Sequence, residues 1–201
     1  MEIQLRRLEL IRHSVVLVLL LVFSSLCFGQ TLWQGTTYGM TVEQVRAVIP
    51  KVSRYDSAKA EKEKFPDGMI ELLRLENVEL VNNLFTARFY FLRGRLAQVM
   101  LSLKDKGLSS SESLSLFDSL AEILRLKYGK EFKHQNSIDD KFVNQSGQRK
   151  VSNRATTTWI VKRTNIELFL YGIADEDDPS SQLTILTLVY QGRVAREADK
   201  L

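Results

Sequence analysis

The chain holds few residues of the types that catalyse reactions or bind metals. It has one cysteine, Cys27, and of its two histidines only His134 lies beyond the N-terminal leader. A zinc site usually takes several Cys, His or carboxylate ligands in register. A Ser-His-Asp triad would have to use His134, which has no nucleophile motif nearby. We therefore expect no enzyme activity, no catalytic residue, no cofactor and no metal site, and we interpret His134 as a surface histidine.

Two acidic clusters could bind a cation or transfer protons. The run Asp175–Asp178 could hold calcium through its carboxylate oxygens, but it lacks the alternating ligands and the glycine of an EF-hand loop. The pair Asp139-Asp140 would suit acid–base chemistry only if burial separated the two pKa values, and its neighbours are polar. We interpret both clusters as solvated, and the role of the acidic loop stays open.

Residues 1–29 have the pattern of a secretory signal peptide. Three arginines precede Ser14–Phe28, a run of about 15 residues without a charge. A helix that spans a membrane needs roughly 20 apolar residues, so we expect a cleaved signal rather than a retained anchor. The small residues Cys27 and Gly29 place the cut after Gly29.

Cys27 decides between two destinations for the exported chain. If it leaves with the leader, the remaining chain has no cysteine, and hence no disulfide, thiolate nucleophile or cysteine-based metal site. The protein is then periplasmic or secreted. The alternative is a membrane-anchored lipoprotein with a lipidated Cys27 as its first residue, although the bulky Leu26 before it disfavours that processing.

Residues 30–192 are predicted to form a single α+β domain, followed by a flexible tail over 193–201. The first half, about 32–103, is predicted to hold a helix and three strands. Thr41 with Gln44 matches a capping box, and apolar residues that alternate with their neighbours indicate strands. The predicted elements are a helix over 42–49, a charged helical turn or a loop over 51–67, a strand over 69–75 and a hairpin of 84–92 with 95–103.

The second half, about 109–190, repeats this layout. Ser109 with Glu112 matches a second capping box, and Gly129 occupies the position of a C-cap glycine. The polar stretch 130–153 is predicted to be a mobile loop after a weak strand near its start. The predicted elements are a helix over 110–128, the weak strand over 131–134 and strands over 156–161, 166–171 and 183–190.

Each half thus has one amphipathic helix that can cover one face of an antiparallel sheet. This predicts a two-layer α+β fold of two tandem helix-plus-three-strand units. The strand face without a helix is the part most available to a partner. Alternation assigns most aromatic residues to the core. These aromatic residues are Phe85, Phe89, Phe91, Trp159, Phe169 and Tyr171.

The segment that opens the first helix resembles a known group of proteins. Gly39–Thr41 followed by Glu43–Val45, ahead of antiparallel strands, is similar to the start of small helix-plus-strands units in exported bacterial proteins. These include outer-membrane assembly lipoproteins of the SmpA/OmlA type and β-lactamase-inhibitor-like proteins. The resemblance implies a periplasmic binding or assembly module. Leu26 departs from the lipoprotein processing site, and the inhibitors have disulfides that this chain lacks, so no site residue is transferred.

These observations predict an exported, non-catalytic protein that binds another envelope protein through an exposed sheet face or edge. The alternative is a carrier of a small ligand or lipid in a cleft between sheet and helices. A formal net charge of +4 is too mild to indicate nucleic acid as a partner. We expect membrane contact only through the leader or a lipidated Cys27. The candidate partner-surface residues are Trp33, Tyr38, Arg93 and Arg95. For Trp33 and Tyr38 the alternative is a place in the core, which we favour.

Mass spectrometry of the protein from its host tests the interpretation of the leader. We expect a mass that begins at Gln30, because cleavage after Gly29 removes the signal peptide. A diacylglyceryl adduct on Cys27 would contradict this expectation and identify a membrane-tethered lipoprotein.

Overall fold

The computed structural model of the chain describes residues 30–178 and 182–192. The predicted signal peptide, with Cys27, and the predicted tail over 193–201 lie outside these residues. Three helices and eight strands follow one another within them. The helices are α1 Val42–Val48, α2 Ser57–Lys62 and α3 Ser110–Tyr128. The strands are β1 Ser53–Arg54, β2 Ile70–Leu80, β3 Asn83–Leu92, β4 Arg95–Leu103, β5 Lys133–Val143, β6 Arg149–Val161, β7 Thr164–Asp175 and β8 Leu183–Gly192.

The strands form one antiparallel sheet in the order β1-β2-β3-β4-β8-β7-β6-β5. The strands β1 to β4 run in sequence from one edge to the centre, and β5 to β8 run in sequence from the other edge. The two sets meet where β4 pairs with β8. The described chain is therefore mainly an antiparallel sheet with few helices, and the α+β prediction is confirmed only at this coarse level.

The strand β5 and the first part of β6 occupy the stretch that was expected to be a mobile loop. That prediction is wrong, because the two strands pair from Lys133 opposite Thr158 to Val143 opposite Arg149. Every side chain of β5 is exposed, since β5 is an edge strand with no core behind it. Its sequence therefore lacks the apolar alternation by which strands are recognised.

The polar segment between α1 and β2 also has regular structure. Residues that fitted either a charged turn or a loop form β1 and α2. The carboxylate of Asp56 caps α2 by accepting hydrogen bonds from the amides of Ala58 and Lys59, at 2.8 and 3.1 Å. Ala60 of α2 is buried, and this helix contacts β2.

Both predicted capping boxes are confirmed. The hydroxyl of Thr41 accepts a hydrogen bond from the Gln44 amide at 3.3 Å, and the Gln44 side chain accepts one from the Thr41 amide at 2.8 Å. Ser109 and Glu112 make the same reciprocal pair at α3. Gly129 ends α3 with a φ of 82°, in the region that favours glycine. No helix within 30–178 and 182–192 is long and apolar enough to cross a membrane.

The main hydrophobic core lies between the helices and one face of the sheet. Val45 of α1 and Phe117 of α3 are both buried in it. Trp33 packs against Phe89, with the ring centroids 6.1 Å apart. The strands supply the other side of this core through residues that include Leu73, Phe85, Phe91, Val99, Leu101, Trp159, Leu168, Leu170, Leu186 and Leu188.

The segment that precedes α1 wraps around one end of the sheet. The Gly39 amide donates to the Leu96 carbonyl, and the Leu96 amide donates to the Met40 carbonyl, both at 2.8 Å. The ring of Tyr38 lies against Gly192 at the end of β8. A Cβ added to Gly192 would be 2.7 Å from Cγ of Tyr38, closer than real contacts allow. Gly192 therefore leaves the space that this ring fills.

Replacing Gly192 tests how the N-terminal segment closes onto the sheet. We expect Gly192→Ala to lower the free energy of unfolding by about 1–3 kcal/mol, because its methyl group would overlap the Tyr38 ring. Gly107→Ala is the matched control, since a Cβ there would meet Asp105 Oδ1 at an ordinary 3.5 Å. Urea unfolding measures both variants, and an unchanged midpoint for Gly192→Ala would contradict the placement of Tyr38.

Candidate functional site

The structure buries one of the four candidate partner-surface residues. Trp33 is 7% exposed, because its large apolar ring packs in the main core. Of the two alternatives for Trp33, core or surface, the structure shows the core, and its candidate surface role is corrected. Tyr38 is half-buried. Arg93 and Arg95 are exposed at the turn between β3 and β4, and Arg95 Nη1 donates to the Gly39 carbonyl at 3.3 Å.

The histidine and the acidic loop are held by hydrogen bonds and ion pairs. His134 Nδ1 lies 2.8 Å from a threonine hydroxyl of β6. Lys150 donates to Asp175 at 2.6 Å. The hydrogen bond from Lys141 lowers the pKa of the Glu176 carboxyl. In the part of the chain that the structure describes, no three His, Cys, Asp or Glu residues are grouped so that they could hold a metal ion.

The strand β7 carries apolar side chains on both of its faces. Leu168 and Leu170 are fully buried in the main core, on the face that α1 and α3 cover. Phe169 and Tyr171 alternate with them and point to the opposite face, where they are half-buried and outside the core. The prediction that these two aromatic residues belong to the core is therefore wrong.

The register of the sheet places further apolar residues beside these rings. Tyr171 lies opposite Ile185 of β8, and Ile173 lies opposite Leu183. Phe169 is a diagonal neighbour of Ile185, within reach of an aromatic side chain. Ile185 and Leu183 are 41% and 45% exposed. We define the open face as Arg154 of β6, Phe169, Tyr171 and Ile173 of β7, and Leu183, Ile185 and Val189 of β8.

Arg154 adds a positive charge to the open face. It lies opposite Tyr171 in the pairing of β6 with β7. Its guanidinium carbon is 5.6 Å from the centroid of the Tyr171 ring, within the range of a cation–π contact. Arg154 is exposed and forms no ion pair with any residue of 30–178 or 182–192. The stacked guanidinium is therefore oriented and available to a carboxylate.

The same sheet face is covered over β2, β3 and β4. Phe65 packs edge-on against Tyr90, with ring centroids 5.1 Å apart, and burial raises the pKa of the Tyr90 hydroxyl. Glu71, which is 3% exposed, accepts hydrogen bonds from Arg74 at 2.6 and 3.0 Å. These bonds raise the pKa of Arg74, and Tyr55 lies 4.0 Å from its guanidinium. The described residues form no such layer on the same face of β8, β7 and β6.

Arg88 lies where the covered part meets the open face. It is opposite Met100 of β4, which is in turn opposite Val189 of β8. Its Nε is buried and has no hydrogen-bond partner within the described ranges. A buried donor without a partner costs free energy. Arg88 is half-buried and adds a second positive charge beside the open face.

Comparison with known proteins identifies no relative of this chain. Searches against family models, curated protein sequences and solved structures found no match. The resemblance to SmpA/OmlA-type and β-lactamase-inhibitor-like proteins stays a prediction.

A groove between the sheet and α3 corresponds in position to the cleft expected for a ligand carrier. It has a volume of about 490 Å³ and lies beside the turn that joins β2 to β3. Its lining is mixed: Ser111, Ser115 and Ser119 of α3 lie beside the apolar Leu108 and Leu116, and the turn contributes Val81 and Asn82. Polar and apolar groups are present in equal measure, so the lining does not select between a polar ligand and an apolar one.

The sequence predicted an uncovered strand face but not its residues, because alternation alone does not show which face of a strand packs against the core. In the strand β7, Ile166, Leu168 and Leu170 share one face, while Phe169 and Tyr171 share the other. The available signal was the presence of apolar residues at both parities in a strand of an antiparallel sheet. That pattern indicates a second surface that is either buried by another layer or open to a partner.

Two neighbouring substitutions test the two faces of β7. We expect Leu168→Ala to cost about 2–5 kcal/mol of unfolding free energy, because it leaves a cavity in the main core. We expect Phe169→Ala to cost at most about 1 kcal/mol, the size of a cross-strand contact. Urea unfolding of both variants measures the difference. Equal losses would contradict the assignment of Phe169 to an accessible face.

Proposed function

We propose that this protein is an exported, non-catalytic module that binds another envelope protein through the open face of its sheet. The observation that carries the proposal is the combination of Phe169, Tyr171 and Ile185 outside the core with the exposed Arg154 beside them. Exposed apolar patches that are rimmed by polar residues mark interaction sites in soluble proteins. Export is expected from the leader, which places the module in the periplasm or outside the cell.

The chemistry of the open face indicates what the partner presents. Aromatic residues and arginine carry much of the binding energy in protein interfaces. Arg154 is already oriented by Tyr171, so little side-chain entropy is lost when it binds a carboxylate bidentately. Arg88 offers a second guanidinium at the boundary. We infer that the partner has an apolar segment flanked by Asp or Glu.

We also propose that the domain consists of two tandem helix-plus-strands units, about 32–103 and 109–190. The strand order supports this, because each half forms an uninterrupted set of neighbouring strands that ends in the central pair β4 and β8. In the first half α1, β1 and α2 come before β2 to β4, and in the second half α3 comes before β5 to β8. Such a layout agrees with the predicted resemblance to β-lactamase-inhibitor-like proteins, and the part of the sheet face over β6 to β8 is available for binding.

Site-specific photo-crosslinking in the producing cells tests the binding face. We expect Tyr171→benzoylphenylalanine to give a protein adduct, because position 171 lies in the centre of the open face. The matched control is the same replacement at Asp118, which is exposed on α3. Adding Arg154→Glu should lower the adduct yield on the order of tenfold, by repelling the partner's carboxylates.

The control position decides how the crosslinking result is interpreted. Adducts of equal yield at positions 171 and 118 would contradict a specific face, as would an adduct at position 118 alone. Unchanged yield with Arg154→Glu would contradict an acidic partner.

The second candidate is a carrier of a small ligand or lipid in the groove beside α3. The observation that favours it is the groove of about 490 Å³, which is lined by both polar and apolar side chains. A carrier of this kind would give no protein adduct at position 171. The crosslinking experiment therefore separates the two candidates.

A further inference from the structure

A second exposed apolar patch lies away from the open face, at the end of α3. Leu126 is 81% exposed, Phe132 is 72% exposed and Ile123 is 50% exposed. None of the three belongs to either hydrophobic cluster of the described residues. Contact of such large apolar side chains with water is unfavourable, and their transfer to an apolar environment would lower the free energy.

The backbone that carries the patch is firmly attached to the sheet. Ile123 and Leu126 are three residues apart on α3 and are therefore neighbours on its surface. The Trp159 indole donates a hydrogen bond to the Gly129 carbonyl at 3.0 Å, just after the helix. The Phe132 amide donates to a carbonyl of β6 at 2.8 Å. The patch is thus presented by ordered structure and is not a frayed end.

Exposed lysines are interspersed with these apolar residues. Lys127 and Lys130 lie on either side of the helix end at Gly129 and are exposed. Neither forms an ion pair with a carboxylate in the described part of the protein. Ammonium groups in such positions attract an anionic surface.

The two carboxylates of this region share one cation. Arg125 pairs with Glu122 at 3.5 Å and with Glu131 at 3.0 Å. The hydrogen bonds from Arg125 lower the pKa of the Glu131 carboxyl, so it stays ionised and paired. Lys127 and Lys130 outweigh the remaining negative charge, so the end of α3 is net positive.

We propose that this patch, Ile123, Leu126 and Phe132 with Lys127 and Lys130, binds the surface of an anionic lipid bilayer. Apolar side chains that enter the acyl boundary while lysines contact headgroups are the pattern of peripheral membrane binding. The charge complementarity favours an anionic bilayer over a neutral one. This contact goes beyond the expectation that the membrane is reached only through the leader or Cys27, and it does not depend on the proposed function of the open face.

Vesicle flotation tests the proposal with the full protein as isolated from its host. The probe is a vesicle of phosphatidylcholine with about one third phosphatidylglycerol, compared with phosphatidylcholine alone. We expect binding on the order of tenfold stronger to the anionic vesicles, and a decrease as salt is raised. Leu126→Ser with Phe132→Ser, and separately Lys127→Glu with Lys130→Glu, should each remove most of this binding.

The control variant is Leu84→Ser, which replaces another exposed apolar residue, 48% exposed on β3, far along the chain from the patch. It should bind anionic vesicles as the unmodified protein does, and circular dichroism should show that every variant is folded. Any contribution of the leader is common to all variants and cancels in the comparison.

Three outcomes would overturn the proposal. These are equal binding of the patch variants and the control, equal binding to both kinds of vesicle, and self-association in sedimentation that Leu126→Ser abolishes. The last outcome would identify a second copy of the chain as the occupant of the patch.

Discussion

The pairing of β4 with β8 is the interaction on which the rest of the structure depends. It joins the two sets of strands into one sheet and sets Leu101 opposite Leu188 and Met100 opposite Val189. Because successive side chains alternate between faces, this register sends the leucines into the main core. It sends Met100 and Val189 to the other face. A slip of one residue would exchange the two faces across the centre of the molecule.

The helices and the segment before them bury only one of these faces. Val45, Phe117 and Trp33 complete the core on that side. On the other side, the segment with Phe65 covers the strands β2 to β4, and none of the described residues forms such a layer over β6 to β8. The apolar residues of the sheet are therefore partly buried by the described chain and partly exposed. The end of α3 adds a second exposed apolar surface.

The features that could be predicted from the sequence are those set by local chemistry. The capping boxes at Thr41 and Ser109 and the glycine at the end of α3 depend on residues within four positions of each other. The hairpin of β3 and β4 follows from alternation and a short turn. The strand β5 could not be predicted in this way, because its pairing with β6 involves no apolar face.

For the candidate site, the sequence predicted the kind of surface and not its position in the fold. An uncovered strand face was expected, but its residues were not, since the placement of Phe169 and Tyr171 depends on which side the helices pack. Trp33 was a candidate partner-surface residue because its neighbours in the sequence do not show that it contacts Phe89, 56 positions further along the chain. Both assignments depend on contacts between residues that are far apart in the sequence, and a local sequence pattern does not reveal such contacts.

Hydroxyl-radical footprinting of the free protein tests the one-sided burial of the sheet most directly. We expect Phe169 and Tyr171 to be readily oxidised, because they lie on the open face, and we expect Phe89 and Phe85 in the main core to be protected. Protection of Phe169 and Tyr171 equal to that of Phe89 would contradict the account, since it would mean that a layer of the protein covers the face proposed to bind a partner.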